Sequence, residues 1–144
     1  MDDLIAFLRA RLDEDDQTAR AAGAELGPDW LYDAERGWVR AAREGDGIAT
    51  GHQEFLDSEH GHHIARHDPA RVLAEVDAKR QMVALHGPVI LRAGGGAAHF
   101  DTTRVCRSCE PPKQFPETAW PCPTLRLVAL PYADHPDYQD AWRP

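Results

Sequence analysis

RVCRSCEPPKQFPETAWPCPTLRL, residues 104–127, carries all three cysteines of this 144-residue chain. An odd number of thiols fits neither a disulfide framework nor a redox pair alone, and in a reducing compartment thiols stay free or bind metal. Cys106 and Cys109 form a Cys-x2-Cys knuckle, the spacing at which two thiolates of one tight turn converge on a tetrahedral ion. Cys122 follows after twelve intervening residues, at the start of an apolar run, TLRLVAL, that reads as a short helix with Pro123 in its first turn and Pro131 bending or ending it. A helix N-terminus favours a thiolate, which eases deprotonation of a third ligand. Three cysteines within 17 residues are better explained by zinc than by three unrelated thiols, since exposed unpaired thiols are a liability.

The fourth ligand has to be sought upstream or downstream of the knuckle. Asp68-Pro69 marks a helix start, because Asp caps free amides and Pro at the first helical position gives up no bond. The central helix that follows runs over residues 69–86 to Gly87-Pro88. On it Val72, Val76, Val83 and His86 recur at helical spacing, with Lys79 between them, so His86 points with the buried stripe. His86 is therefore the first choice, with His99 and His135 as alternatives. Three Cys and one His close the shell and leave no position for water, which makes the site structural.

Toward the amino terminus, DDLIAFLRARLDEDDQTARAAG reads as a first helix, capped by Asp2 or Asp3 and stopped by Gly23, with Leu4, Ile5, Leu8 and Leu12 as its apolar stripe. After Leu12 come four acids, so its second half is expected to face solvent. Residues 24–57 lack helical periodicity and carry Gly and Pro punctuation, which predicts one or two short hairpins, for example 37–42 pairing with 47–52 across REGDG. LDSEHGHHIARHDP reads as a short helix started by Asp57 or Ser58 and weakened by Gly61. Beyond the central helix, Val89–Leu91 is a short strand and the glycine triplet of residues 94–96 is slack loop, since no strand-Gly-helix fingerprint surrounds it. Tyr132, Tyr138 and Trp142 of the tail are expected to pack back on the body.

A second cluster, HGHHIARHD, offers His60, His62, His63 and His67, with His52 slightly earlier. On a helix, His63 and His67 share a face, and on a strand His60 and His62 would, with Asp68 near either pair. Helical two-histidine zinc hydrolases need a Glu beside the first His, which is missing here. The plainer reading is a polar helix in which His67 helps to cap and Ile64 packs inward. No Gly-x-Ser-x-Gly motif occurs, and Ser58 and Ser108 are the only serines.

Composition narrows the class. A chain of 144 residues suits a single domain, 42% hydrophobic residues support a globular fold, and 11 Gly with 11 Pro imply short elements. No apolar run approaches the roughly 20 residues that span a bilayer, and the chain opens with acids where a signal peptide would open with bases, so a cytoplasmic protein is expected. Net charge is −8, and residues 1–60 hold the excess, with 15 acids against 6 bases, whereas residues 61–144 carry 9 against 10. That surface repels phosphate backbones and anionic lipid and suits a basic protein partner better, although acidity also simply keeps a protein soluble.

The stretches HIARHDPARVLAEVDAKRQMVALH and PCPTLRLVALPYADHPDYQDAWRP, with DDLIAFLRARLDEDDQTAR at the start, resemble a family of small uncharacterised proteins of Streptomyces, other actinobacteria and their phages, a domain of unknown function. The resemblance implies a ligand set of Cys106, Cys109, Cys122 and His86. The present sequence departs from it by a longer loop, GPVILRAGGGAAHFDTT, and no activity comes with it.

The expectation is thus a small α+β, mostly helical single domain spanning residues 1–144: an N-terminal helix, a short β-hairpin region, a central helix and a zinc-clipped C-terminal segment. Three functions compete. A non-enzymatic interaction or adaptor module with a structural Cys3His zinc ranks first. A metal-dependent hydrolase using the His60–Asp68 cluster is second, and a second metal equivalent would mark it. Third is a nucleic-acid-binding regulator using Arg104, Arg107 and Arg126 beside the knuckle, which the overall charge disfavours.

Overall fold

A computed structural model describes residues 3–43, 45–90, 104–109 and 120–144. Its elements are α1 (Asp3–Gly23), β1 (Trp30–Asp33), β2 (Trp38–Ala41), β3 (Gly47–Ala49), α2 (Ser58–Arg66), α3 (Pro69–Leu85), β4 (Pro88–Ile90), β5 (Arg104–Cys106) and α4 (Pro123–Ala129), with single 3-10 turns at His52–Glu54, Leu130–Tyr132 and Asp140–Trp142. The α+β, mostly helical class expected from the sequence is therefore observed. Asp2, Leu91, the glycine triplet and His99 lie outside the described residues. The chain forms two compact units, one of residues 1–11 and 79–144, the other of residues 12–78, the divisions falling within α1 and α3.

In the unit of residues 12–78, β1, β2 and β3 form an antiparallel sheet in that order. Tyr32 pairs with Val39 across the first hairpin, and Val39 with Ala49 across the second, where a bulge follows. The first turn is written in its residues. Asp33 Oδ1 accepts the amides of Glu35 and Arg36, both at 3.1 Å, and Gly37 adopts φ +68°, where a side chain would be strained. Along β2, Val39 and Ala41 are fully buried while Trp38 and Arg40 are half-buried, the period-2 signature of a sheet with one covered face.

The cover over β1 includes α2, the short helix read from the sequence, and the structure adds a role for its glycine. Gly61 weakens the helix by propensity and is also the residue that lets it approach β1. A Cβ at position 61 would sit 2.2 Å from Tyr32 Cδ2. Tyr32 also donates its hydroxyl to Leu56 O at 3.2 Å, and His62 stands edge-on to its ring at 4.8 Å. Gly61→Ala should therefore cost about 1–3 kcal/mol through overpacking, more than the helix propensity of Ala returns. Urea denaturation would measure it, and a neutral or stabilising result would separate α2 from β1.

Asp68 caps α3 as expected, its Oδ1 accepting Arg71 N–H at 2.9 Å, while Oδ2 accepts Trp30 N–H at 3.0 Å and so ties the helix start to β1. On α3, Val76 is buried in this unit, and Val72 is half-buried. Asp15 and Asp16 are half-buried rather than fully solvent-facing, and Asp16 receives Arg20 at 2.7 Å one turn on.

In the other unit, Leu4, Ile5, Phe7 and Leu8 of α1, Val83 of α3, Val105 and Leu125 are buried. Tyr132, Tyr138 and Trp142 gather around Phe7, with ring centroids 6.3, 5.9 and 5.1 Å away, so the tail packs as the sequence suggested. Pro131 falls in the 3-10 turn that follows α4. Strands β4 and β5 pair antiparallel with Pro88 opposite Cys106.

Candidate metal centre

The local backbone brings the knuckle to the end of α3. Cys106 closes β5, and the ladder continues beyond the strands because Arg107 N–H donates to Gly87 O at 2.9 Å. The Ser108 hydroxyl donates to Leu85 O, tying the knuckle turn to the last helical residue. Sequence reasoning missed Ser108, and its place inside the Cys-x2-Cys turn was the available signal. His86, the first residue past α3, consequently faces the turn that holds Cys106 and Cys109. Cys122 arrives from the other side as the residue preceding α4, with extended backbone at φ −71° and ψ 159°, and its carbonyl accepts Arg126 N–H at 3.2 Å.

His86 Nδ1 lies 3.4 Å from Cys106 Sγ, 3.4 Å from Cys109 Sγ and 3.6 Å from Cys122 Sγ. The four candidate ligand atoms all lie within 4.8 Å of one another. One imidazole nitrogen offers either one N–H or one lone pair, so three sulfurs at such distances are not explained by hydrogen bonding to it. A tetrahedral cation about 2.3 Å from sulfur and about 2.0 Å from nitrogen spaces S and N by roughly 3.5 Å, which is the spacing found. The group could hold a metal ion. Among the described residues it is the one cluster of three or more His, Cys, Asp or Glu whose ligand atoms converge in this way.

The electrostatics of the thiols favour a cation. Cys106 and Cys122 are fully buried, and Cys109 is half-buried. Burial pushes the Cys109 thiol up to about 11, and the adjoining Cys106 and Cys122 sulfurs add to the rise. Burial also acts to raise Cys106, but the amides of Cys109 and Ser108, together with the neighbouring thiols, hydrogen-bond to it and hold it below the ordinary thiol value. One thiolate is thus readily accommodated and further ones repel it, a balance that a divalent cation reverses.

The other sequence candidates have different surroundings. His135 stands against the Arg11 guanidinium and edge-on to Phe7, and its Nδ1 accepts Asp137 N–H at 3.1 Å. Arg11 itself, buried and with its guanidinium 5.4 Å from the Phe7 centroid, escaped the sequence reading because a charged residue gives no apolar signal. His63 and His67 do share a face of α2, with ring centroids 4.4 Å apart, but His67 Nδ1 lies 2.9 Å from His63 O and Asp68 is engaged by two amides. Because the segment is helical, His60 and His62 do not share a face. His60 lies 3.7 Å from Asp57 in the open, and His52 is exposed. Of the three arginines suggested as a basic patch, Arg126 is turned onto the carbonyls of Pro121 and Arg143.

Among the described residues no helix is long and apolar enough to cross a membrane. No curated protein and no solved structure matches the chain significantly. The model of a family of unknown function, DUF6221, matches residues 1–144, and the chain belongs to that family.

Proposed function

We propose that the protein is a non-enzymatic interaction or adaptor module whose C-terminal segment is fixed by one structural zinc ion on Cys106, Cys109, Cys122 and His86. The observation that carries this reading is the convergence of three sulfurs on His86 Nδ1 at 3.4–3.6 Å. Zinc is preferred over other cations because a soft thiolate set with one imidazole in tetrahedral spacing is its usual environment, and a shell filled by four protein ligands serves folding rather than catalysis. A thiolate-bound metal is at home in a reducing compartment, which supports a cytoplasmic location.

The partner is another protein, and the acidic unit favours a basic one. Residues 12–78 carry 16 acids against 6 bases, while the remaining residues carry 8 against 10. Nucleic acid and membrane surfaces, both anionic, are disfavoured on the acidic side.

Elemental mass spectrometry on untagged protein tests the site. One zinc per chain is expected, with Cys106→Ser and His86→Ala both falling to a small fraction of that value. Two metals per chain, or one retained in both variants, would move the centre to the histidines of α2 and revive the hydrolase reading.

A further inference from the structure

Four of the described arginines have an acid beside them: Arg20 beside Asp16, Arg40 beside Asp33, Arg71 beside Glu75, and Arg143 beside Asp140. Arg9 and Arg107 do not. Both side chains are exposed, and among the described residues neither guanidinium makes a hydrogen bond or ion pair, although acids outnumber bases by 24 to 16 in the chain. They stand at the same cleft, a cavity of about 430 Å³ in the unit of residues 1–11 and 79–144. Ile5 and Ala6 of α1, Val83 and Ala84 of α3, and the start of β4 complete its walls. Ile5 and Val83 are nearly buried, so the floor is aliphatic and the charge is confined to the two guanidinium groups.

We infer that this cleft docks an acidic, aliphatic peptide segment of a partner protein, an aliphatic side chain entering between α1 and α3 while a neighbouring carboxylate meets Arg9 and Arg107. Charge complementarity selects the occupant. Guanidinium groups match carboxylates in a planar, two-pronged geometry, and the aliphatic floor rewards a Leu, Ile or Val side chain that a nucleotide backbone lacks. The volume lies in the lower part of the range for small-ligand sites, enough for a side chain and its carboxylate rather than a folded surface. Arg107 lies between the knuckle cysteines, and Gly87 and Pro88 directly follow His86. The cleft therefore rests on the zinc reading for the order of one wall, while Arg9 on α1 is independent of it.

The test uses the full, metal-loaded, 15N-labelled chain titrated with acetyl-Glu-Leu-Glu-Leu-amide, with metal content measured on every sample. Amide shifts should cluster at Ala6, Arg9, Ala84 and Arg107. Affinity should fall about tenfold in Arg9→Gln, in Ala84→Trp, which fills the cleft from an exposed position, and with the Gln-for-Glu peptide. Shifts that scatter, or that persist unchanged in Arg9→Gln and Ala84→Trp, would overturn the proposal. So would an oligothymidylate that binds the same residues more tightly than the peptide, which would make the cleft a nucleic-acid contact. Metal present with no cleft binding sinks the docking site alone, and cleft binding without metal sinks the zinc centre alone.

Discussion

Chelation with EDTA at neutral pH is expected to lower the stability of the chain by at least about 5 kcal/mol, or roughly 15 °C in Tm. The magnitude follows from what the metal replaces. Cys106 and Cys122 are fully buried, and β4 with β5 supplies only three paired residues on each side, too short a ladder to stand alone. Without the cation the knuckle is held to the end of α3 by the Arg107 amide and the Ser108 hydroxyl, each worth about 1 kcal/mol. With it, binding free energy becomes folding free energy. Acid acts in the same direction, because protons compete for the sulfurs: metal is held at neutral and higher pH and released as pH falls. Calorimetric melts with and without chelator, and metal content across a pH series, check both arms. A Tm unchanged after complete metal removal would mean that the site is not structural.

The physical reason the cluster of His86 with the three cysteines was legible in sequence is that each candidate ligand sits beside a strong local signal. Asp68-Pro69 fixes where α3 begins, helical spacing then aims His86, the Cys-x2-Cys spacing describes a turn, and Pro123 starts α4 one residue after Cys122. What the sequence left open was which histidine closes the group. That depends on the pairing of Pro88 with Cys106, a contact between residues 18 apart, which no local pattern encodes. The hairpin of β2 and β3 was legible for the same local reasons, through the glycines of REGDG that separate its strands. By contrast, the packing role of Gly61 was not legible, because a propensity scale sees only the helix it weakens and not the Tyr32 ring that needs the space. Likewise Phe7 and Arg11, one turn apart on α1, fell outside the Leu and Ile stripe. Their burial is created by a tail more than 120 residues away that covers their side of the helix.

That tail contact carries the second large expectation. Phe7→Ala should destabilise the protein by about 3–5 kcal/mol. The side chain is 7% exposed, so nearly all its surface is withdrawn from water, and its ring meets Tyr132 and Tyr138 edge-on and Trp142 at a tilt. Each such pair adds about 0.5–1.5 kcal/mol beyond burial, though the pairs share one ring and do not sum. The Arg11 guanidinium over the same ring loses its π-face when the ring is removed and is left buried against His135. Leu127, 57% exposed, is the comparison: Leu127→Ala should stay within about 0.5 kcal/mol of the parent. Urea denaturation gives both values, and a Phe7→Ala/Trp142→Ala cycle should show coupling above about 0.5 kcal/mol. A Phe7→Ala loss below about 1 kcal/mol, with no coupling to Trp142, would mean that the tail does not pack on α1 in solution. Metal content separates this effect from the zinc centre. Phe7→Ala removes no ligand and should keep one metal per chain at temperatures where it is folded, whereas Cys106→Ser loses the metal while the Phe7 cluster retains all its rings.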